Sequence, residues 1–307
     1  MARDTLAGDA TSTLRGVRTT GVLWLRGFWA FSKRNPLGGL AALFILTLVV
    51  TAIFAPLIAP NDPDFIFRGA RFAGVGHTPE DGKAMLLGGD QAGRDLFARV
   101  VFGSRIALMV GAVAAGIGVG SGLILGLVAG YFGGKMDLVI SRVIDTLMAF
   151  PALILALLIM SILDTGTMTA MIAIGIVFMP LTARVVRGAA LSVKENVYVE
   201  SAKAIGATTP HIIARYILPN VAHTVIIIGA TLFAGAILVE ASLSFLGIGT
   251  STQVASWGVM IAGPGRSALQ SHPMILFAPA VALSVSVLAF NLLGDALRDA
   301  WDPRLRS

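Results

Sequence analysis

The sequence predicts an all-α integral membrane protein with six transmembrane helices and both termini cytoplasmic. Three observations predict it. The 307 residues are 56% hydrophobic and 13% charged, with a mean hydropathy of +0.83; soluble domains run near about a quarter charged. Six apolar runs contain no Lys, Arg, Asp or Glu and approach or exceed the roughly 20 residues that cross about 30 Å of hydrocarbon. Basic residues gather at the ends of those runs, as membrane topology requires.

Residues 1–36 form a cytoplasmic segment. Within it, 14–34 mix Arg and Lys with Trp24, Phe28, Trp29 and Phe31, the pattern of a helix lying in the headgroup layer with aromatics down and cations outward. This polar lead is too long for a cleavable signal. The first span covers 37–59 and an outer loop 60–103. A five-span core occupies 104–294, with spans at Ile106–Gly134, Thr146–Leu163, Thr165–Ala183, Tyr216–Val239 and Ser267–Gly294. All must be helices, because backbone in lipid satisfies its own hydrogen bonds. Only Asp164 separates the third span from the fourth, so these form a tight hairpin. A hydrophilic loop at about 187–218 joins the fourth and fifth spans. Residues 295–307 are a cytoplasmic tail.

Orientation follows from the cations. With the N-terminus inside, sixteen Lys and Arg face the cytoplasm and seven lie outside. Six of the seven sit in or beside the long outer loop, which carries six acids of its own between Asp62 and Asp95. In the second span Gly118, Gly122, Gly126, Gly130 and Gly134 recur every four residues. That spacing lets another helix approach closely, from this chain or a second subunit, with Gly116 and Gly120 widening the groove.

Residues 200–219 read ESAKAIGATTPHIIARYILP, a polar, helix-prone segment between two long apolar runs. Leu191–Val199 and Glu200–Ile205 have helical character. Gly206 and Thr208–Thr209 break it, and Pro210 suits the first turn of a second helix. Pro219 stands at the start of the fifth span. Two short helices along the membrane surface, joined near Gly206, are expected. The segment resembles the cytoplasmic coupling motif of binding-protein-dependent ABC importer permeases: Glu-Ala-Ala, three residues, Gly, nine residues, an apolar residue, Leu-Pro. Glu200, Ala202, Gly206, Leu218 and Pro219 fall on it. Ser201 replaces an alanine, and Tyr216 stands in the usual isoleucine place.

Two further segments are similar to the dipeptide/oligopeptide/nickel branch of that family, in particular to C-type dipeptide permease subunits. Residues 88–105, GGDQAGRDLFARVVFGSR, carry Asp90, Gly93, Arg94, Asp95 and Arg105 on that branch's pattern, with Gly89 in place of a common threonine. Their charges serve either as an ion-pair cap or as contacts for a partner. Residues 291–304, NLLGDALRDAWDPR, match its closing signature, with Trp301 replacing a frequent leucine. Asp302-Pro303 would stop the last helix.

Ionisable residues at membrane depth are functional hypotheses. Glu240 lies well into the fifth helix; it either lines the path near the outer mouth or is held by Ser242, Ser244 or another helix. Arg142 and Asp145 stand three apart and able to pair on one face. His77, His211, His223 and His272 lack metal-ligand spacing. Gly133-Gly134-Lys135-Met136 lacks the earlier glycine and the Ser/Thr of a phosphate loop. There are no cysteines, so disulfides, thiol chemistry and Cys zinc sites are excluded.

The resemblance implies a type I ABC importer permease of the bacterial inner membrane, non-enzymatic, forming half of a peptide pore. It implies a homologous second permease as heterodimer partner, one or two ATPase subunits below and a periplasmic substrate-binding protein above. ATP and Mg²⁺ would be used by the ATPases, with no cofactor on this chain and no nucleic-acid partner. Nickel or nickel-chelate import is the rival within the same branch. A gradient-driven secondary transporter would want buried acids in several spans and inverted repeats, and Glu240 alone is thin support for that.

Overall fold

The computed structural model describes residues 32–33, 35–251, 253–265 and 268–301. The aromatic-rich part of the expected N-terminal helix, and residues 302–307 of the tail, lie outside them. The described chain is mainly helical: α1 Pro36–Ile53, α2 Leu96–Phe132, α3 Gly134–Met148, α4 Ala152–Leu163, α5 Thr167–Lys194, α6 Val197–Ala204, α7 Thr209–Ile212, α8 Leu218–Phe245, α9 Trp257–Met260 and α10 Met274–Trp301. Five helices are long and apolar enough to cross by themselves when α7 and α8 count as one, and the bent α3–α4 pair brings the number to six when it is counted as one span. The start of α1, the end of α2, the start of α8 and the end of α10 lie at one end of the bundle, called here the elbow end. The loop 59–95 and the α9 segment cap the other.

Three element boundaries differ from the sequence expectation. The third crossing is not one straight helix. α3 and α4 meet at 95° across residues 149–151. Pro151, extended at φ −56° and ψ 135°, has no N–H and drives Phe150 away from helix. α4 alone has 12 residues, about 18 Å at ~1.5 Å per residue, too short to cross. The second helix starts at Leu96 rather than Ile106. Asp95 caps it by accepting from Phe97 N at 2.9 Å and Ala98 N at 3.3 Å. Arg99 and Arg105 sit inside the helix because other segments satisfy them. The last helix starts at Met274 rather than Ser267: residues 269–271 and 273 form turns, and Pro273, which disfavours helix at His272 before it, stands directly before the first helical turn.

The expected second surface helix does not stand apart either. α7 runs through a π turn, Ile213–Ile217, directly into α8. Leu218 N donates to Ile213 O, five residues back. Pro219 cannot donate to carry the α register onward, and a wide turn absorbs the mismatch. Residues 191–194 belong to α5, not to the surface helix.

The closest packing joins α2 to α5. A Cβ on Gly118 would lie 2.7 Å from Phe178 Cβ, on Gly122 2.5 Å from Thr182 Cβ, on Gly126 2.6 Å from Ala183 O and on Gly130 2.8 Å from Ala190 Cβ. The helix that uses this stripe is therefore in the same chain. Gly134 lies beyond the end of α2, and Gly116 and Gly120 meet nothing within 4 Å. A step of two residues turns about 200° around a helix, so these two face away from α5 and do not widen its groove.

Three apolar clusters follow the bundle. Val110, Ala114, Met160, Met171, Ile174 and Leu243 fill the middle between α2, α4, α5 and α8. Leu48, Leu96, Ile237, Trp257, Ile275 and Phe290 tie α1, α8, α9 and α10 to the cap end of α2. The third lies at the elbow.

Candidate functional site

The elbow is residues 195–217. α6 begins after Asn196 and ends in a two-bond turn: Gly206 N donates to Lys203 O and Ala207 N to Ala202 O, both at 3.0 Å. This is the Schellman arrangement, which puts its C′ residue in the left-handed region, and Gly206 has φ +83°. Nothing lies within 4 Å of where its Cβ would be, so backbone conformation, not space, requires glycine here.

α6 is fixed on one face and free on the other. Val199 and Ala202 are buried with Tyr131 of α2, Val186 and Ala190 of α5, Ile212 of α7, Ile217 of the π turn and Val221 of α8. Lys194 Nζ donates to Tyr131 O at 2.6 Å, satisfying a carbonyl at the end of α2. Lys194 and Lys203 both approach the Tyr131 ring, at 5.8 and 5.7 Å. The opposite face presents Val197, Tyr198, Glu200, Ser201 and Ile205 outward, with Ile205 84% and Val197 77% exposed. Glu200 makes no ion pair among the described residues, and Ser201 bonds only back to Val197 O. Tyr216 lies beside Tyr198 and His211, with centroids at 6.2 and 6.0 Å. Leu218 and Pro219 open α8. Sequence reasoning missed Tyr131 and Lys194; both stand at helix ends, where a cation beside a terminal carbonyl was the available signal.

Near the elbow, Arg187 of α5 binds Asp137 of α3 through both carboxylate oxygens, the longer contact at 2.6 Å. Asp145 pairs with Arg184 at 2.6 Å. The expected Arg142–Asp145 pair does not form, because α5 offers Asp145 a better-placed cation.

At the cap end, the outer motif folds on itself. Asp90 accepts from Ala92 N, Arg94 N and Arg94 Nε at 2.7–2.9 Å. Gly93 has φ +89°, with room for no Cβ against Phe67 O. Asp95, besides capping α2, accepts from Asn61 Nδ2 at 2.8 Å. Arg105 donates to Ala52 O and Ile53 O at the end of α1. At the centre is Arg99, 1% exposed. Its guanidinium donates to Pro63 O, Asp64 Oδ1 and Val254 O at 3.0–3.1 Å, with Asp90 at 3.9 Å. Arg99 joins three separate stretches of chain, which spacing along the sequence could not reveal.

Glu240 is buried one and a half turns before the end of α8. Its Oε1 accepts from Ser244 Oγ at 2.8 Å, Thr250 Oγ1 at 2.8 Å and Ser256 Oγ at 2.9 Å. Ser242, one of its expected partners, instead donates to Leu238 O. Among the described residues no group of three or more His, Cys, Asp or Glu is placed to hold a metal. The arrangement supplies a mechanical contact surface at one end and a braced cap at the other.

Residues 122–307 match the family model described as "Binding-protein-dependent transport system inner membrane component". Residues 23–74 match that described as "N-terminal TM domain of oligopeptide transport permease C". The chain is 37% identical over 282 residues to the glutathione transport system permease protein GsiD of Pectobacterium atrosepticum, covering 92% of each chain. It is 39% identical over 279 residues to the protein of that name from Escherichia coli O6:K15:H31, covering 91% of this chain and 90% of that one. A solved structure of an amino acid ABC transporter with histidines aligns at a TM-score of 0.49 and 20% identity, over 65% of this chain and 92% of that one, too loosely to argue from. Identity across nine-tenths of both chains, with a family match over most of the helical core, assigns the protein: the chain belongs to the binding-protein-dependent transport system inner membrane component family, as a multi-pass permease subunit of an ABC importer.

Proposed function

We propose that this chain is half of the translocation pore of an ATP-driven importer of dipeptides and oligopeptides in a bacterial inner membrane. Both termini are cytoplasmic. A homologous, non-identical permease supplies the other half. One or two ATPase subunits, which hold ATP and Mg²⁺, dock at the elbow, and a periplasmic binding protein docks at the cap. The observation that carries this is the two-faced α6. Its outer face offers Val197, Tyr198, Ile205 and Glu200 to a partner, while its inner face is packed against the ends of α2, α5 and α8. A push on α6 therefore moves three crossings together. Closure of the ATPase pair turns the bundle outward-open, and hydrolysis reverses it. Gly206 lets the elbow turn sharply enough to project.

The substrate class rests on the relatives. Their name specifies glutathione, itself a tripeptide, which favours peptides over nickel chelates. At the cap, Asp90, Arg94, Asp95 and Arg105 are engaged inside the chain. That favours a structural ion-pair cap over direct charge contact with the binding protein.

The test is reconstitution. Purified with its second permease and ATPases in liposomes, the complex should take up peptide only with ATP and loaded binding protein. A cysteine at Ile205 should crosslink to an ATPase subunit. Uptake by this chain alone on a proton or sodium gradient would overturn the reading.

A further inference from the structure

The α8–α10 connection is fastened to the bundle at three points. Glu240 holds Thr250 and Ser256 through their hydroxyls, together with Ser244 of its own helix. Ser244 Oγ in turn accepts from Thr250 N at 3.1 Å. Arg99 holds Val254 O, and Trp257 Nε1 donates to Val100 O at 2.9 Å, its ring lying where a side chain on Gly103 would be. Glu240, Ser244, Thr250 and Ser256 are all buried. Beside them is an open cavity of about 540 Å³, lined in part by Arg94, Thr165, Ser244, Thr250, Ser251 and Val259. The same connection that Glu240 fastens thus forms one wall of a recess at the cap end.

A buried carboxylate is costly unless donors meet it. Here three hydroxyls converge on one oxygen, and two belong to the connection rather than to α8. We propose that Glu240 is a positioning residue: it latches residues 249–251 and 253–260 in place as the wall of this recess, and transport requires the wall to be held. This rests on the reading of the chain as a peptide permease. The latch acts through acceptor geometry. Glutamine, with a carbonyl oxygen at the same reach, keeps it, and alanine removes it and strands the hydroxyls.

The chain has no cysteine, so a single Ala255→Cys, at a position 6% exposed, reports on the segment. In the assembled complex in liposomes, a membrane-impermeant maleimide should label it slowly. Glu240→Ala should raise the rate at least ten-fold, and Glu240→Gln less than two-fold. ATP hydrolysed per peptide taken up should rise several-fold in Glu240→Ala and stay near wild type in Glu240→Gln. If Glu240→Ala fails to assemble, Thr250→Val with Ser256→Ala frees the connection from the other side, leaving Ser244 Oγ on the Glu240 carboxylate, and should shift labelling and the ratio in the same direction. Unchanged labelling in the alanine variant overturns the latch. Uptake and ATPase falling together at a constant ratio reduces Glu240 to a folding role and also overturns it. If the wild-type complex takes up no peptide, the function fails, while the labelling comparison still decides the latch.

Discussion

Replacing Gly122 or Gly126 by alanine should push α2 off α5, and the same change at Gly116 or Gly120 should not. At Gly122 the new methyl would lie 2.5 Å from Thr182 Cβ and 2.8 Å from Met179 O; at Gly126, 2.6 Å from Ala183 O and 2.7 Å from Val186 Cβ. Carbon atoms prefer about 3.5–4 Å, so roughly 1 Å of overlap must be relieved. The obstacles are backbone and β-carbons, which cannot swing aside. Overpacking of this kind costs about 1–3 kcal/mol, against about 0.5–1 kcal/mol gained by replacing a mid-helix glycine with alanine. The net loss at each packed site is then up to about 2.5 kcal/mol. At Gly116 and Gly120 only the gain remains. Thermal unfolding of the purified chain in detergent, followed by tryptophan fluorescence, reads the difference. The four variants should separate into two classes. If Gly120→Ala destabilised as much as Gly122→Ala, the packing of α2 on α5 described above would be wrong.

Two further outcomes follow from the elbow and the cap. Gly206→Val forces a β-branched side chain to φ +83°, costing upward of about 1–2 kcal/mol; it should cut peptide uptake sharply at normal membrane abundance, while Gly206→Asn, which tolerates that region, retains much more. Arg99→Met leaves Pro63 O and Val254 O without their donor and Asp64 without its cation, while Asp90 keeps Arg94; an unmet buried acceptor costs about 1–3 kcal/mol, so limited proteolysis should cut the 59–95 loop several-fold faster than in wild type.

Membrane embedding, the approximate places of six crossings and the motif-bearing elbow are properties of composition and spacing. Each depends on local chemistry. An apolar run must lie in lipid, basic residues mark its ends, and a Gly at 206 followed by Pro219 limits what the backbone between them can do. The start of α2 was misplaced because a charge in a run reads as a boundary until its partner is known. Arg105 is compatible with helix only because α1 ends beside it, and Arg99 only because residues 63, 64 and 254 reach it. Pro151 bent a crossing whose composition looked continuous, since hydropathy sums side chains and does not register a missing N–H.

The glycine stripe identified a packing face, but only the tertiary structure chose α5 as the helix that fills it, because spacing along one helix says nothing about its neighbour. The fate of Glu240 was likewise open in the sequence. Its partners Thr250 and Ser256 stand ten and sixteen residues away on a connection that Trp257 and Arg99 also fasten to α2. Uncharged apolar length determined which segments enter the membrane. Long-range contacts decided which helices pack together, which charges are neutralised and which surface of the elbow is left exposed.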